Sequence, residues 1–377
     1  MGRRRWTSRD LRHLREALEL AARGAGQTSP NPMVGAVLVR GHRIVGRGYH
    51  TRAGAPHAEI KALDQAGRRA RGASLYVNLE PCCHFGRTPP CVDALIDAGV
   101  DEVVACMRDP DRRVDGKGFR ALRRAGVRVR IGALRAEALD LNSRFLRQVR
   151  KRMPFVTLKA GMTLDGRIAT RSGRSKWITS PRARAAARAL RGRHDAVLVG
   201  VNTVLADDPQ LRGSGAAGGR SPARVVLDAR LRTPRGARLL RDGGGETIIF
   251  THASASEARR RALERAGAIV IQTPGRNGRL RLKGVLGELA RRGIRSVLVE
   301  GGSEVLGSAL DEKIGDGVVF FVAGTILGGR GALPAFGGRG PARLGEAARV
   351  EDMVVRRVGP DLMVRGRLKF PGAARRR

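Results

Sequence analysis

Apolar positions along the chain fall into two series of short runs and amphipathic stretches, divided by a basic segment near residue 150. Leu11, Leu14, Leu18 and Ala22 recur at helical spacing, which predicts a helix over 9–22 with Ser8 as its cap. Val34 to Val39 and Arg43 to Tyr49 flank Gly41-His42 and predict two strands joined by a tight turn. Helices are expected over 57–66, 90–98 and 118–125, with strands over 74–78, 102–106 and 128–131. The segment 142–153 keeps helical spacing up to Pro154 and is expected to be a connecting helix. Further strands are expected over 155–159, 196–199, 223–227, 247–250, 269–272, 296–300 and 317–322, with loops at 213–219 and 243–245. Strands alternating with helices imply layered α/β sheets, and 377 residues suit two domains, here 1–148 and 149–377. No internal repeat is visible.

Composition bounds the possibilities. The longest apolar stretch, Val318 to Leu327, is interrupted by Gly324 and falls short of the ~18 residues of a membrane span. Met1 to Asp10 is basic but leads into no apolar signal core, so a soluble, cytoplasmic protein is expected, with no membrane partner. The formal charge is +39, and 65 of the 73 basic residues are arginine. Counterion release from phosphates would exploit such a charge, which makes nucleic acid a candidate partner. The arginines, however, are spread over nearly every segment and aromatic residues make up only 3%, leaving few stacking platforms. Arginine-rich solvated helix faces account for the same number, and a positive field that steers phosphate-bearing small molecules is a third reading. The sequence therefore favours small phosphorylated substrates over nucleic acid. A homo-oligomer is the expected assembly, and Ala373 to Arg377 reads as a disordered tail.

Four cysteines in so long a chain make no disulfide framework, and Cys82, Cys83 and Cys91 lie within ten residues, a spacing that points to metal. One imidazole, His57, and two thiolates, Cys82 and Cys91, make a three-ligand zinc site with a fourth position open to water, the catalytic pattern. Glu59 stands two residues beyond His57, suited to take a proton from water and deliver it to a departing amine. The same residues admit plainer readings: a satisfied core histidine with small buried cysteines, or a closed structural site with His84 as fourth ligand. Cys83 and Cys106 read as packing residues.

The stretches Pro30-Asn31-Pro32-Met33-Val34-Gly35, Gly48-Tyr49-His50, His57-Ala58-Glu59 and Cys82 to Cys91 resemble the bacterial bifunctional riboflavin-biosynthesis deaminase–reductases. Eight residues separate Cys82 from Cys91, including Gly86-Arg87-Thr88-Pro89-Pro90, whereas nucleic-acid and nucleoside deaminases typically place two there. An RNA-editing deaminase and a zinc-stabilised binding module are the competing classes. The long cysteine spacing counts against the first, and a catalytically silent Glu59→Gln would favour the second.

The resemblance implies a cytidine-deaminase-like three-layer domain followed by a dihydrofolate-reductase-like α/β domain. It implies one zinc ion, with NADPH in the second domain, and a diaminohydroxy-pyrimidine substrate bearing a phosphoribosylamino group. Asn31 would bond the ring, and His50, His84 and Arg87 would face the ribose and phosphate.

The second half lacks a Gly-x-Gly-x-x-Gly after its first strand, so no Rossmann site is indicated. It carries Lys159-Ala-Gly161-Met-Thr-Leu-Asp165-Gly166, Ser175-Lys176-Trp177, Asn202-Thr203 to Asp207-Asp208-Pro209 and Glu300-Gly301-Gly302-Ser303. These segments, in this order, resemble the reductase half of the same family. The resemblance places Gly161, Trp177, Thr203, Asp207 and Gly302 along the cofactor, and Ser175, Arg191, Leu211 and Glu300 along the substrate. Two positions depart from the pattern: Arg212-Gly213-Ser214 replaces a Thr-x-Arg run that supplies a phosphate-binding arginine, and Ala229 stands where serine is common. Arg212 is the expected substitute, reached from a shifted position.

Overall fold

The computed structural model describes residues 6–86, 89–213, 221–276 and 278–372. The chain divides into two compact units, Met1–Arg152 and Met153–Arg377.

The first unit contains α1 (Ser8–Ala22), β1 (Gly35–Arg40), β2 (Arg43–Tyr49), α2 (Ala58–Ala66), β3 (Ser74–Val77), α3 (Cys91–Asp97), β4 (Glu102–Ala105), α4 (Lys117–Arg124), β5 (Arg128–Ile131), α5 (Arg135–Leu141) and α6 (Ser143–Lys151). Its sheet runs β2-β1-β3-β4-β5; β1 is antiparallel to both neighbours, and β3, β4 and β5 are parallel. Alternate strand residues face opposite sides. Ala36, Leu38, Leu75, Val77 and Val103 pack under α2, α3 and α4, while Val37, Val39, Tyr76 and Val104 pack under α1, α5 and α6. The result is a three-layer sandwich whose strands are covered on both faces, which explains why β1, β3 and β4 read as continuous apolar runs.

The cap of α1 is Thr7, not Ser8. Thr7 Oγ1 accepts from the Asp10 amide at 3.1 Å, and an Asp10 carboxylate oxygen accepts from the Thr7 amide at 3.0 Å. This reciprocal box requires an acid three residues after the cap, which Thr7 has and Ser8 does not. The helix α5 lies where no element was expected, and α6 occupies the expected connecting helix.

The second unit contains β6 (Phe155–Thr163), β7 (Arg167–Ala169), α7 (Pro181–Arg191), β8 (Ala196–Gly200), α8 (Val201–Asp207), β9 (Ala223–Leu227), α9 (Arg238–Arg241), β10 (Thr247–Thr251), α10 (Glu257–Arg265), β11 (Ala268–Gln272), β12 (Gly275–Arg276), β13 (Arg279–Leu280), α11 (Leu282–Arg291), β14 (Ser296–Val299), α12 (Ser303–Asp311), β15 (Gly317–Ala323), β16 (Leu333–Pro334), β17 (Arg349–Val358) and β18 (Asp361–Lys369). Nine strands form one sheet in the order β11-β10-β9-β8-β14-β6-β15-β18-β17. The first seven in that order are parallel, and β18 and β17 close the edge as an antiparallel hairpin. Helices α11 and α12 cover one face of the sheet, and α8, α9 and α10 cover the other. Every expected strand is present; β6 continues to Thr163, beyond the expected end at Lys159. Among the described residues no helix is long and apolar enough to cross a membrane.

Glycines set how deeply α2 seats on its sheet. A Cβ on Gly48 would lie 2.1 Å from the Ala58 carbonyl oxygen, and one on Gly46 would lie 2.1 Å from that of Ala62. On the opposite side a Cβ on Gly35 would lie 2.0 Å from the Ala17 carbonyl of α1. Backbone oxygen cannot rotate aside as a side chain can, so Gly48→Ala must lift α2. We expect this variant to lose about 3 kcal/mol of stability, as overpacked sites do, measured by urea unfolding, and to bind zinc more weakly because the lifted helix carries His57.

Candidate active sites

In the first unit, His57 occupies the N-cap position of α2 and Cys91 is the first residue of α3, while Cys82 lies in the loop after β3. Both helices start at the same side of the sheet, which converges the three residues. His57 Nδ1 lies 3.2 Å from Cys91 Sγ and 3.4 Å from Cys82 Sγ. All three ligand atoms lie within 4.8 Å of one another. A tetrahedral zinc with ordinary Zn–N and Zn–S bonds spaces its ligand atoms roughly 3.5 Å apart, so the donor set fits the ion in both type and spacing. The Cys91 thiol and His57 donate to Cys82 and hold its thiol below the usual range, with the Cys91 amide adding a third donor at 3.3 Å. Cys91 is pushed the other way because it is the thiol that donates to Cys82. Cation binding at this cluster requires the thiols and the imidazole to give up their protons.

Glu59, in the first turn of α2, is 3% exposed, and its Oε2 has no partner among the described residues. Burial, reinforced by the Cys82 thiolate, pushes its carboxyl up to about 7. It is therefore a protonatable group beside the cluster, suited to carry a proton, while only His57, Cys82 and Cys91 bring their ligand atoms together among the described residues. His84 is half-buried with an unpartnered Nδ1 and lies outside that group, so the closed four-ligand arrangement is not formed.

Asn31 Nδ2 donates to His50 Nε2 at 3.0 Å, and His50 Nδ1 faces the Pro56 carbonyl at 3.4 Å. Both contacts are met by the neutral ring protonated on Nδ1. Burial pushes the His50 pKa down, in keeping with that form. The His50 ring stands edge-on to His57, with centroids 5.3 Å apart, so Asn31, His50 and the metal cluster form one continuous wall. Arg87 lies outside the described residues.

Three polar residues here were not singled out from the sequence. Asn78 and Asn142 are buried and bond the backbone at Met33 and Gly35. The Glu80 carboxylate accepts from the amides of Asp109, Gly116 and Phe119 at 2.9–3.2 Å, tying the Cys82 loop to the start of α4. Only Glu80, two residues before a ligand, had a sequence signal; the asparagines act over 43 and 109 residues and leave no local pattern.

In the second unit β14 lies between β8 and β6, so the residues following β8 and β14 meet at the carboxyl edge of the sheet, where open α/β folds hold ligands. The Glu300 side chain, 5% exposed, lies there, bridged by Arg191 through two bonds of 2.7 and 2.8 Å and approached by Lys159 at 3.6 Å. Burial alone would raise its carboxyl, but Lys159 and Arg191 hold it down to about 2. The Gly302 amide donates to Thr203 Oγ1 at 3.3 Å, bringing those two expected cofactor residues together. Gly302 precedes α12, and Gly301 has φ +91°, a conformation that favours glycine.

Trp177 is 70% exposed, with the Arg184 guanidinium 4.2 Å from its ring centroid, so it is a surface ring and not a core residue. Asp207 pairs with Lys176 at 3.3 Å, and Gly161 leaves space beside Thr179, whose methyl a Cβ would meet at 3.4 Å. Ser175 is half-buried in the loop between β7 and α7.

Two expected substrate residues sit differently from the simple expectation. The Leu211 side chain is 2% exposed and packs with Val197, Val199 and Val204, so only its backbone can face a ligand. The Arg212 guanidinium bonds the Asp242 carbonyl, while the Arg212 carbonyl accepts from Arg191 at 3.4 Å. Asp165 accepts from Thr163 and from the amides of Leu327 and Gly328, bracing two loops.

Comparison with known proteins places both halves. Residues 7–107 match the cytidine and deoxycytidylate deaminase zinc-binding region, and residues 154–364 match the RibD C-terminal domain. The chain is 42% identical over 355 residues to the riboflavin biosynthesis protein RibD of Aquifex aeolicus, covering 94% of this chain and 97% of that one. It is 40% identical over 369 residues to RibD of Escherichia coli, covering 94% and 98%. Among solved structures it is similar to Acinetobacter baumannii RibD, with a TM-score of 0.85 and 37% identity over 96% of this chain and 99% of that one. It is also similar to a Thermotoga maritima diaminohydroxyphosphoribosylaminopyrimidine deaminase/5-amino-6-(5-phosphoribosylamino)uracil reductase, with a TM-score of 0.82 and 36% identity over 95% and 98%. The fold class expected from the sequence, a cytidine-deaminase-like domain followed by a dihydrofolate-reductase-like one, holds.

Two outcomes follow from the geometry. Competition with a chromophoric chelator should give one tightly bound zinc per chain, lost in Cys82→Ala and in Cys91→Ala. Glu300→Gln should cost about 3 kcal/mol at pH 7 by leaving two partly buried cations, Arg191 and Lys159, without their anion. The depressed carboxyl contributes fully above its unfolded pKa of about 4.3 and loses that contribution as pH falls toward 2. Urea unfolding of variant and parent should therefore converge across that interval.

Proposed function

The chain belongs to the RibD family of riboflavin biosynthesis proteins, and from that premise we propose that it catalyses two successive steps on one phosphorylated pyrimidine. The first is hydrolytic deamination of 2,5-diamino-6-(5-phosphoribosylamino)pyrimidin-4-one at its 2-amino group. The second is NADPH-dependent reduction of the ribosyl side chain to ribityl. Support comes from the two activities named for the Thermotoga maritima relative and from the residues gathered in each unit. The observation that carries the reading is Glu59: a buried carboxylate with an unpartnered oxygen beside a three-donor His/Cys/Cys cluster.

His57, Cys82 and Cys91 would hold the zinc ion, which when bound would supply the acidity that makes water nucleophilic near neutral pH. Glu59 Oε2 accepts a proton from the attacking water and returns it to the departing amine. A C–O bond forms at ring C2, the C–N bond breaks, and ammonia leaves. Asn31 orients the ring by its amide edge, and neutral His50 fixes the Asn31 side chain through the 3.0 Å contact. His84 and Arg87 are assigned to the ribose and phosphate.

In the second unit NADPH would supply a hydride to the ribose C1 once the sugar ring has opened to an imine, with solvent supplying the proton to the imine nitrogen. Thr203, Asp207 and the Gly302 turn flank the proposed cofactor bed, Gly161 leaves it room and Trp177 offers an aromatic face. Arg191 holds Glu300 so that its carboxylate oxygens can accept from substrate hydroxyls. Ser175, the Leu211 backbone and Arg212 complete the substrate side; Arg212 must leave Asp242 to reach a phosphate.

The test is a two-stage assay on the zinc-loaded chain with the diaminopyrimidine ribosyl phosphate, following ammonia first and NADPH oxidation second. Ammonia release followed by NADPH consumption is expected, with Glu59→Gln slowing ammonia release about a thousandfold, within the usual range for acid–base groups, while zinc content stays at the parent level. No ammonia from the zinc-loaded parent would overturn the substrate assignment. Ammonia without NADPH consumption would confine the activity to the first unit.

A further inference from the structure

Met33 lies two residues beyond Asn31, and its backbone is gripped by two asparagines from distant parts of the chain. Asn142 Oδ1 accepts from the Met33 amide at 2.8 Å and Asn142 Nδ2 donates to the Met33 carbonyl at 3.0 Å. Asn78 Nδ2 donates to the same carbonyl at 2.9 Å, and Asn78 Oδ1 accepts from the Gly35 amide at 2.9 Å. Both donors the carbonyl can take are thus supplied by side chains that are 0% and 1% exposed.

The placement of Asn142 is unusual in one respect. It stands at the N-cap position of α6, where asparagine commonly caps the helix, yet its side chain makes no capping bond. The amide is directed instead across the fold to residue 33. A local stabilising role has been given up for a long-range one, and the segment so held carries Asn31.

We propose that Asn142 is a positioning residue for deamination: by fixing the Met33 backbone it sets where Asn31 meets the pyrimidine. This rests on the reading of Asn31 as a ring contact. The arrangement is stiff because losing Asn142 would leave the Met33 amide without its acceptor and the Met33 carbonyl with Asn78 alone. Since Asn142 joins α5 to α6, the last helix of the first unit and the pyrimidine-recognition segment are held by one side chain.

The experiment compares Asn31→Ala, Asn142→Ala, Asn142→Asp and the double alanine variant of the full zinc-loaded chain. It measures kcat and KM for ammonia release from the diaminopyrimidine ribosyl phosphate, with zinc content and melting temperature for each. Asn142→Ala is expected to lower kcat/KM roughly tenfold, mostly through KM, as the loss of one well-placed hydrogen bond would, with zinc content unchanged. Asn142→Asp keeps the acceptor for the Met33 amide but turns a carboxylate oxygen toward the Met33 carbonyl, so it should raise KM as alanine does. The double variant should be no worse than Asn31→Ala alone, because a positioning residue has nothing left to position. If Asn142→Ala does not fold, the Asp variant carries the comparison with a KM rise in the same direction. A folded Asn142 variant with parental kcat and KM overturns the proposal, whatever its melting temperature, as do losses that multiply in the double variant. An Asn31→Ala variant with parental kinetics overturns the ring-binding reading and the proposal with it, so the two failures are told apart by which single variant is silent.

Discussion

Two glycines allow α2 to settle on β2 until the carbonyl oxygens of Ala58 and Ala62 occupy the space where side chains would otherwise stand. Everything in the first site is measured from that contact. His57 is the residue before α2 begins and Glu59 lies in its first turn, so the depth of the helix fixes both the imidazole and the carboxylate. Ala58, Ala62 and Ala66 continue the same small-residue face and are all buried. The third and fourth participants arrive from a different direction, Cys91 as the first residue of α3 and Cys82 from the loop before it. A three-donor site therefore depends on backbone-to-backbone packing more than on any property of the ligands themselves.

Around this frame the polar interior is organised by side chains that satisfy backbone groups. Asn78 and Asn142 hold the strand entry at Met33 and Gly35, and Glu80 gathers three amides at the start of α4. In the second unit Asp195 plays a similar part, accepting from the amides of Arg295 and Ser296 at 2.9 Å. Buried groups of this kind add little net stability when satisfied but cost far more when a partner is removed. They trade stability for a single arrangement, which a site needs if its donors are to stay within a few tenths of an ångström.

The metal cluster was legible because few residue types can bind zinc and their spacing is confined to two short motifs, His57-Ala58-Glu59 and Cys82 to Cys91. The strands were legible because burial on both faces leaves continuous apolar runs such as Val197-Leu198-Val199. Elements went unseen where composition hides the face. Helix α7, rich in arginine and alanine, has little contrast between its sides, although Ala183 and Ala187 are its buried residues. Strands β17 and β18 interleave arginines with apolar residues at a partly exposed edge, so neither reads as a core strand. Thr7 was legible in principle, since Asp10 stands three residues on, yet the neighbouring Ser8 carries the same hydroxyl. Long-range pairings such as Arg191 with Glu300, or Lys176 with Asp207, leave no mark in a linear pattern; the resemblance picks out Arg191, Glu300 and Asp207 singly, but it pairs none of them.

The grip on Met33 separates where a constraint acts from where it is recorded. Both asparagines bond main-chain atoms, which every amino acid other than proline supplies alike, so the clamp is indifferent to the side chain at position 33. The clamp therefore places its own side-chain requirement at positions 78 and 142, far in the chain from the residue being held.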